Sequence, residues 1–449
     1  MKITMIGGGY VGLVSSACLA AFGATVTLVE KDPQRLDALQ RGEIPIYEPG
    51  LDALLCEQRA VGRLVLCSSI AQGLKEAEAV FIAVGTPARR GSGHADLSYV
   101  YAVAREIAEA APHNLLIVTK STVPVGTGRE VSRIVNSLRP DLHFSVASNP
   151  EFLREGQAIA DFMNPDRVII GLDQKSDDKG TRARELLTTL YHPLNHPETR
   201  LVFMGLESAE LTKYAANAFL AMKVTFANEM ADLCEATGAD SDEVRHAIGL
   251  DPRIGPDFLI PGPGFGGSCF PKDTQALAVT ARKAGAPSPL VETTIASNEA
   301  RKRRMAERIL TLLGDLTHPR TVAILGLTFK ANTDDMRQAP SLTVLPLLYE
   351  AGLTLRVYDP HGMEQARALL PDGIYFARNA LDAAQGTDLL VILTEWEEFL
   401  HITPSELQKS MKGRLIVDYR GLWKNREFAS CGLVYHRIGK KDQTKKEGT

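Results

Sequence analysis

The glycine run Gly7-Gly8-Gly9-Tyr10-Val11-Gly12 constrains this chain more than any other stretch, because it stands between an apolar strand pattern and a small-residue helix pattern. Gly7, Gly9 and Gly12 satisfy G-x-G-x-x-G, the spacing at which a chain turns tightly, lets its backbone approach a pyrophosphate and packs a helix close to a strand. ITMI before the run reads as a buried strand, VGLVSSACLAAFG after it as a helix closed by Gly23, and TVTLVEKD as a second strand. The pattern predicts a β-α-β unit with unpaired helix N–H groups turned toward an anion. Glu30 ends the second strand 18 positions after Gly12, where a carboxylate binds the adenine ribose hydroxyls. It would repel a 2′-phosphate, which favours NAD over NADP, although Lys31 and Arg35 nearby weaken that discrimination. A glycine turn with no ligand, or an FAD site, is the competing reading of the same residues.

A chain of 449 residues exceeds what one hydrophobic core serves, so two or three domains are expected. The β-rich runs AVFIAVGTP, LLIVTKSTV and FSVASNPEF alternate with helical stretches such as SYVYAVAREIAEA, which predicts an α/β, doubly wound parallel sheet over residues 1–205. From Glu207 the pattern becomes ESAELTKYAANAFLAMKVTFANEMADLCEATG, free of Pro and Gly until its end. It predicts a long helix opening a helical middle domain over residues 206–300. TVAILGL, TLRVYDP, DLLVILT and RLIVDYR restore the strand pattern, so a second Rossmann-like α/β domain is expected over residues 315–437, a distant echo of the first. Residues 438–449 are polar, and a disordered tail is expected there.

Bulk properties exclude several classes. Hydrophobic residues make up 45% and charged residues 23% of the chain, an ordinary globular balance with little room for extensive disorder. A formal net charge of -4 gives no global reason to expect nucleic acid or an anionic membrane as partner. No stretch reaches the apolar length of a membrane span, and Met1-Lys2 runs directly into a strand pattern rather than a secretory signal. The cysteines Cys18, Cys56, Cys67, Cys234, Cys269 and Cys431 include no C-x-x-C pair, which argues against a disulfide framework or a zinc cluster. A cytoplasmic location is the expectation.

The residues suited to chemistry lie elsewhere. In Gly264-Phe265-Gly266-Gly267-Ser268-Cys269-Phe270-Pro271-Lys272-Asp273, Pro271 marks a helix start, so Cys269 would feel the positive end of a helix dipole, which favours the thiolate. Asp273, four residues on, would share a helix face with it. The plain alternative is an inert packing cysteine. Glu151 and Glu155 stand four apart in Asn149-Pro150-Glu151-Phe152-Leu153-Arg154-Glu155-Gly156. If that segment is helical they project together, and one carboxylate becomes suited to act as a base on water; a solvated acidic turn partnered by Arg154 is the alternative. Lys213 and Asn217 repeat the spacing on the long helix, where a cation and an amide would stabilise an oxyanion. Against this stands a solvent-exposed helical lysine.

Taken together, GGGYVG, VGTP, KSTVPVGT, SNPEFLREG, ELTKYAANAF, RIGPDFLIPGPGFGGSCFPKD and FKANTDDMR resemble the UDP-glucose/GDP-mannose dehydrogenases, in order and over nearly the whole chain. The resemblance implies a four-electron oxidation of a sugar C6 alcohol to a carboxylate, with two NAD used in succession and UDP-glucose as the substrate. Cys269 matches the family nucleophile, which captures the aldehyde as a thiohemiacetal and carries it to a thioester. Glu151 then activates water, Lys213 and Asn217 hold the oxyanion, Asp273 assists proton transfer, and Thr122 in Lys120-Ser121-Thr122 positions the water. Gly7, Gly9, Tyr10, Val11, Gly12, Glu30, Arg35, Thr86, Thr122, Glu155 and Arg337 fall at cofactor positions. The nucleotide sugar is implied to meet Glu151, Phe152, Leu153, Lys213, Asn217, the loop from Phe258 and Leu259 to Phe265 and Gly266, Lys330 and Arg420. Arg253 matches an arginine supplied by a neighbouring subunit, and the long helix would form the core of a homodimer, linking the two α/β domains with the active cleft between them. Glu30 stands where many relatives have Asp, and Tyr419-Arg420-Gly421-Leu422 lacks the Asn that often follows the arginine.

Alternatives of the same chemistry are oxidation of GDP-mannose or of a UDP-N-acetylhexosamine. A simple two-electron dehydrogenase shares the scaffold but gives the Cys269 cluster no task. A non-catalytic sensor of NAD or nucleotide sugar is the alternative of a different class.

Overall fold

The computed structural model describes residues 1–87, 93–173, 177–194 and 200–441. The chain forms two compact units, one of Met1–Ala216 with Val279–Ala286, the other of Asn217–Ala278 with the chain from Pro287 onward.

The first unit is built on an eight-stranded sheet of β1 (Lys2–Ile6), β2 (Thr25–Val29), β3 (Leu64–Cys67), β4 (Ala79–Ile82), β5 (Leu116–Thr119), β6 (Ser145–Ser148), β7 (Arg167–Leu172) and β8 (Arg200–Gly205), in the order β3-β2-β1-β4-β5-β6-β7-β8. Strand β1 sits centrally, with Ile3 opposite Val26 on one side and Ala79 on the other. AVFI of β4 and LIVT of β5 are buried at every position, as strands covered on both faces must be. The sheet departs from the expected all-parallel form at one place, because β7 runs antiparallel to β6. The helix Ala158–Met163 lies between the two strands, and the chain turns back after it to pair Ala147 with Leu172 and Ser148 with Gly171.

The second unit carries β9 (Thr321–Leu325), β10 (Thr354–Tyr358), β11 (Tyr375–Phe376), β12 (Leu389–Ile392), β13 (Leu415–Asp418) and β14 (Val434–Arg437), all parallel, in the order β11-β10-β9-β12-β13-β14. Counted from its own first strand this is the sequence 3-2-1-4-5-6, the order with which the first sheet begins. Both are Rossmann-like, and a helical region lies between them in sequence. It opens with Leu206–Thr237, 32 residues without proline, and continues through Ser241–Gly249, Phe270–Lys283 and Pro289–Leu313. The chain stays packed after β14: Ile438 is 5% exposed, and the Gly439 N–H donates to Glu235 at 2.7 Å. Ile438 and Gly439, placed in the expected tail, are thus part of the fold, and residues 442–449 lie outside the described ones. No helix among the described residues is long and apolar enough to cross a membrane.

Candidate active site

The glycine run sits where β1 hands over to the helix Tyr10–Ala21. A Cβ on Gly12 would stand 1.8 Å from the Gly7 carbonyl oxygen, so the helix can approach the strand only with glycine there. Gly9 precedes the helix, contributes no capping side chain and has open space where its Cβ would point. The first-turn N–H groups are thus left for an anionic ligand, which fits a dinucleotide pyrophosphate. Glu30 lies just past β2 and is 7% exposed, its Oε2 accepting from Gly8 N at 3.0 Å and its Oε1 from Asp32 N at 2.9 Å. A carboxylate has further lone pairs, so two ribose hydroxyls remain within its capacity. Arg35 stands 3.7 Å from the same carboxylate. Thr86 donates to the Thr122 carbonyl at 2.9 Å, so two expected cofactor positions are tied together.

The matching acid of the second sheet is Asp359, just past β10, and it is already consumed. Its Oδ2 accepts from Leu327 N, Thr328 N and Trp396 Nε1, and its Oδ1 from His361 N and Gly362 N. With Gly326-Leu327-Thr328 in place of the triple glycine, the second sheet lacks the dinucleotide cradle of the first.

Glu151 and Lys213 form a buried pair in the first unit, with Nζ–Oε1 3.4 Å and side chains 6% and 3% exposed. Lys213 Nζ also lies 5.1 Å from the Phe152 ring centroid, and the other Glu151 oxygen accepts from Leu153 N at 2.6 Å. The segment from Glu151 to Arg154 is not helical, so Glu151 and Glu155 do not stack at helical spacing as expected. Pro150 before it and Gly156 after it, at φ +80, interrupt the run, and the Glu151 side chain closes a local turn instead. Arg154 pairs with Asp161 at 2.6 Å.

In the second unit Cys269 is half-buried and precedes the helix Phe270–Lys283, its carbonyl accepting from Asp273 N at 2.8 Å. Asp273 is 1% exposed and accepts from Asn217 Nδ2 at 2.6 Å through Oδ2 and from Lys272 Nζ at 2.6 Å through Oδ1. The Ser268 hydroxyl lies 3.4 Å from the Cys269 sulfur. Lys213 and Asn217 stand four apart on the helix Leu206–Thr237.

The loop before Cys269 is buried from Gly262 to Gly267. A Cβ on Gly266 would meet the Gln338 carbonyl oxygen at 2.5 Å, and the Gly267 N–H donates to the Arg337 carbonyl at 2.8 Å. Phe258 and Phe265 pack on Phe270, with ring centroids 6.0 and 5.8 Å apart, and Leu259 is buried. Arg420 comes to the same place. Its Nε donates to the Leu393 carbonyl and its Nη2 to the Phe329 carbonyl, each at 2.7 Å, while Lys330 Nζ lies 5.6 Å from the Phe329 ring centroid. Among the described residues the non-glycine positions with positive φ are Phe258, Asn332 and Gln338, all in this loop or in the 329–338 segment packed on it. Such strain gathers where a fixed geometry serves a ligand. The structure leaves Arg253 apart: its side chain is 87% exposed and pairs with Asp251 at 2.6 Å. Arg337 is also largely exposed, in a two-pronged pair with Asp335.

Three buried polar groups escaped the sequence reading. Glu48 accepts from Tyr10 Oη and from Gly156 N and Ala158 N, fastening the glycine turn to the segment after Glu155. Glu210 accepts from Gly126 N and Gly128 N at the start of the helix Thr127–Leu138. Lys120 donates to Asn149 Oδ1 at 3.1 Å, and burial pushes its ammonium down to about 8. No local spacing announces any of them, since each partner lies far away in the chain.

Comparison with known proteins agrees with this architecture. Residues 1–195 match the NAD binding domain of the UDP-glucose/GDP-mannose dehydrogenase family, residues 207–300 its central domain and residues 323–425 its UDP binding domain. The chain is 52% identical over 442 residues to a UDP-glucose 6-dehydrogenase of Rhizobium meliloti (strain 1021), covering 98% of this chain and 100% of that one. Among solved structures it is similar to a UDP-glucose dehydrogenase from the hyperthermophilic archaeon Pyrobaculum islandicum, with TM-score 0.87, 36% identity and coverage of 98% and 97%. A UDP-D-ManNAc dehydrogenase from Pyrococcus horikoshii gives TM-score 0.83 at 26% identity, covering 98% of this chain and 99% of that one. An NAD-dependent oxidoreductase with a UDP-binding domain follows, and the chain belongs to the UDP-glucose/GDP-mannose dehydrogenase family.

Proposed function

We propose that this chain oxidises the C6 alcohol of UDP-glucose to the carboxylate of UDP-glucuronate, with two NAD consumed per sugar. The observation that carries this is a half-buried thiol at a helix start, with the hydrogen-bonded Asn217–Asp273 pair at that helix's first turn. The relatives named above support the substrate. NAD, when bound at the glycine turn, accepts the electron pair of each oxidation. The alcohol first becomes an aldehyde, to which the Cys269 sulfur adds, giving a thiohemiacetal. Loss of a second electron pair gives the thioester, and water displaces the thiol to leave the acid and Cys269 restored.

Lys213 and Asn217 hold the oxygen on which negative charge develops, and Asp273 takes up the proton. Glu151, held by Leu153 N on one oxygen, draws the proton from the attacking water, which Thr122 orients. Lys330, Arg420 and the Phe258–Gly266 loop hold the nucleotide, for which cations suit a diphosphate. Tyr10, Val11, Glu155 and Arg337 line the cofactor side. We place the chemistry in the cytoplasm.

The protein acts as a homodimer in this proposal. Phe219, Phe226 and Leu233 recur every seven residues on the long helix and are 60%, 47% and 53% exposed, an apolar stripe of the kind a second copy covers. Exposed Arg253 then serves the neighbouring copy's site. Side-by-side turnover of UDP-glucose, GDP-mannose and a UDP-N-acetylhexosamine tests the substrate. UDP-glucose is expected to have the highest kcat/KM, and a higher value for either competitor overturns that assignment.

A further inference from the structure

The backbone of the glycine-rich loop before Cys269 is held by side chains of two long helices. Asn298, on the helix Pro289–Leu313, is 3% exposed and grips Phe265 from both sides: its Oδ1 accepts from Phe265 N at 2.8 Å and its Nδ2 donates to Phe265 O at 3.1 Å. One turn on, Arg301 is 1% exposed, and its Nε donates to Gly262 O at 2.6 Å while its Nη1 reaches Asp232 Oδ1 at 2.8 Å. Asn228, on the helix Leu206–Thr237, accepts from Gly262 N at 2.8 Å. Gly262 and Phe265 are therefore each held at both N–H and C=O. The Phe265 ring then meets Phe270 edge-on at 5.8 Å, and Phe270 is the residue after Cys269. Burying a guanidinium, and an amide turned to backbone groups, is costly unless the geometry they fix is needed.

We propose that Asn298 and Arg301 are positioning residues that fix the Phe258–Gly267 loop for the nucleotide sugar and, through the Phe265–Phe270 ring contact, set the place of the Cys269 thiol. The nucleotide half of this rests on the function proposed above; the thiol half does not. The Asn298 side chain is 3% exposed and turned to the Phe265 backbone, so its loss shows in how well the loop and thiol are placed.

The test uses Asn298→Ala, which removes both bonds, and Asn298→Asp, which keeps the acceptor for Phe265 N but sets an oxygen against Phe265 O. Melting temperature selects the folded variants. KM for UDP-glucose is expected to rise about tenfold or more with KM for NAD unchanged, and the rate of Cys269 alkylation by iodoacetamide at fixed pH is expected to change severalfold. A variant that folds with wild-type KM for UDP-glucose and a wild-type alkylation rate overturns the proposal, as does an equal rise in both KM values. If the wild type does not oxidise UDP-glucose, the function is wrong, and the alkylation rates still decide whether Asn298 places the thiol.

Discussion

Asn217 Nδ2 donates to Asp273 Oδ2 at 2.6 Å with both side chains buried, so the amide is oriented by the carboxylate rather than left to rotate. An oriented amide presents a fixed dipole to a developing oxyanion, which costs no reorganisation when charge appears. Asp273→Asn keeps the shape but removes the charge, the ion pair with Lys272 and the proton acceptor. kcat is expected to fall about 100-fold with little change in KM for UDP-glucose, as steady-state kinetics will show. A kcat close to wild type would remove Asp273 from the chemistry.

Lys213 and Glu151 are both nearly inaccessible, which makes the pair fragile to half-removal. Lys213→Met leaves a buried carboxylate without its cation and is expected to lower stability by about 3 kcal/mol or more. The double variant Lys213→Met, Glu151→Leu is expected to regain most of that loss. Thermal denaturation of the single and double variants reads the difference; equal losses in both would mean the ion pair is not what the site depends on.

Glu210 carries a pH dependence. Burial raises its carboxyl to about 7, against the opposing pull of the Gly126 and Gly128 N–H groups. A raised folded-state value means the folded chain binds the proton more tightly than the unfolded one. The associated stability is full below the ordinary carboxylate range and is lost as pH rises toward about 7. Glu210→Gln cannot titrate, so the wild type's advantage over it is expected to shrink between pH 5 and 8 in parallel melts. A constant or widening gap would contradict the assignment.

Glu30 tests the cofactor preference. Its carboxylate faces the glycine turn beside Arg35, so Glu30→Ser removes the charge that repels a 2′-phosphate and leaves the cation. The ratio of kcat/KM for NAD over NADP is expected to fall at least about tenfold, roughly 1.4 kcal/mol. An unchanged ratio would place the discrimination elsewhere.

What was legible in the sequence was what is local. Gly7, Gly9 and Gly12 act within six residues of one another, and the helix Leu206–Thr237 declares itself by lacking proline and glycine. Cys269 and Asp273 were legible for the same reason, being four apart at a helix start. The helical pairing of Glu151 with Glu155 failed because spacing alone says nothing of Pro150 and a left-handed Gly156. The antiparallel β7 was hidden because strand pattern carries no direction. Asn298 with Phe265, Glu210 with Gly126 and Glu48 with Gly156 are separated by 33, 84 and 108 positions, and only folding brings them together.

The most direct test of the account counts NADH formed per UDP-glucose consumed, by absorbance, for the wild type and for Cys269→Ser. Two NADH per sugar, with repeated turnover abolished in Cys269→Ser, is the result predicted by a thioester route through Cys269. One NADH per sugar with free aldehyde released, or two NADH with turnover surviving in Cys269→Ser, would contradict it.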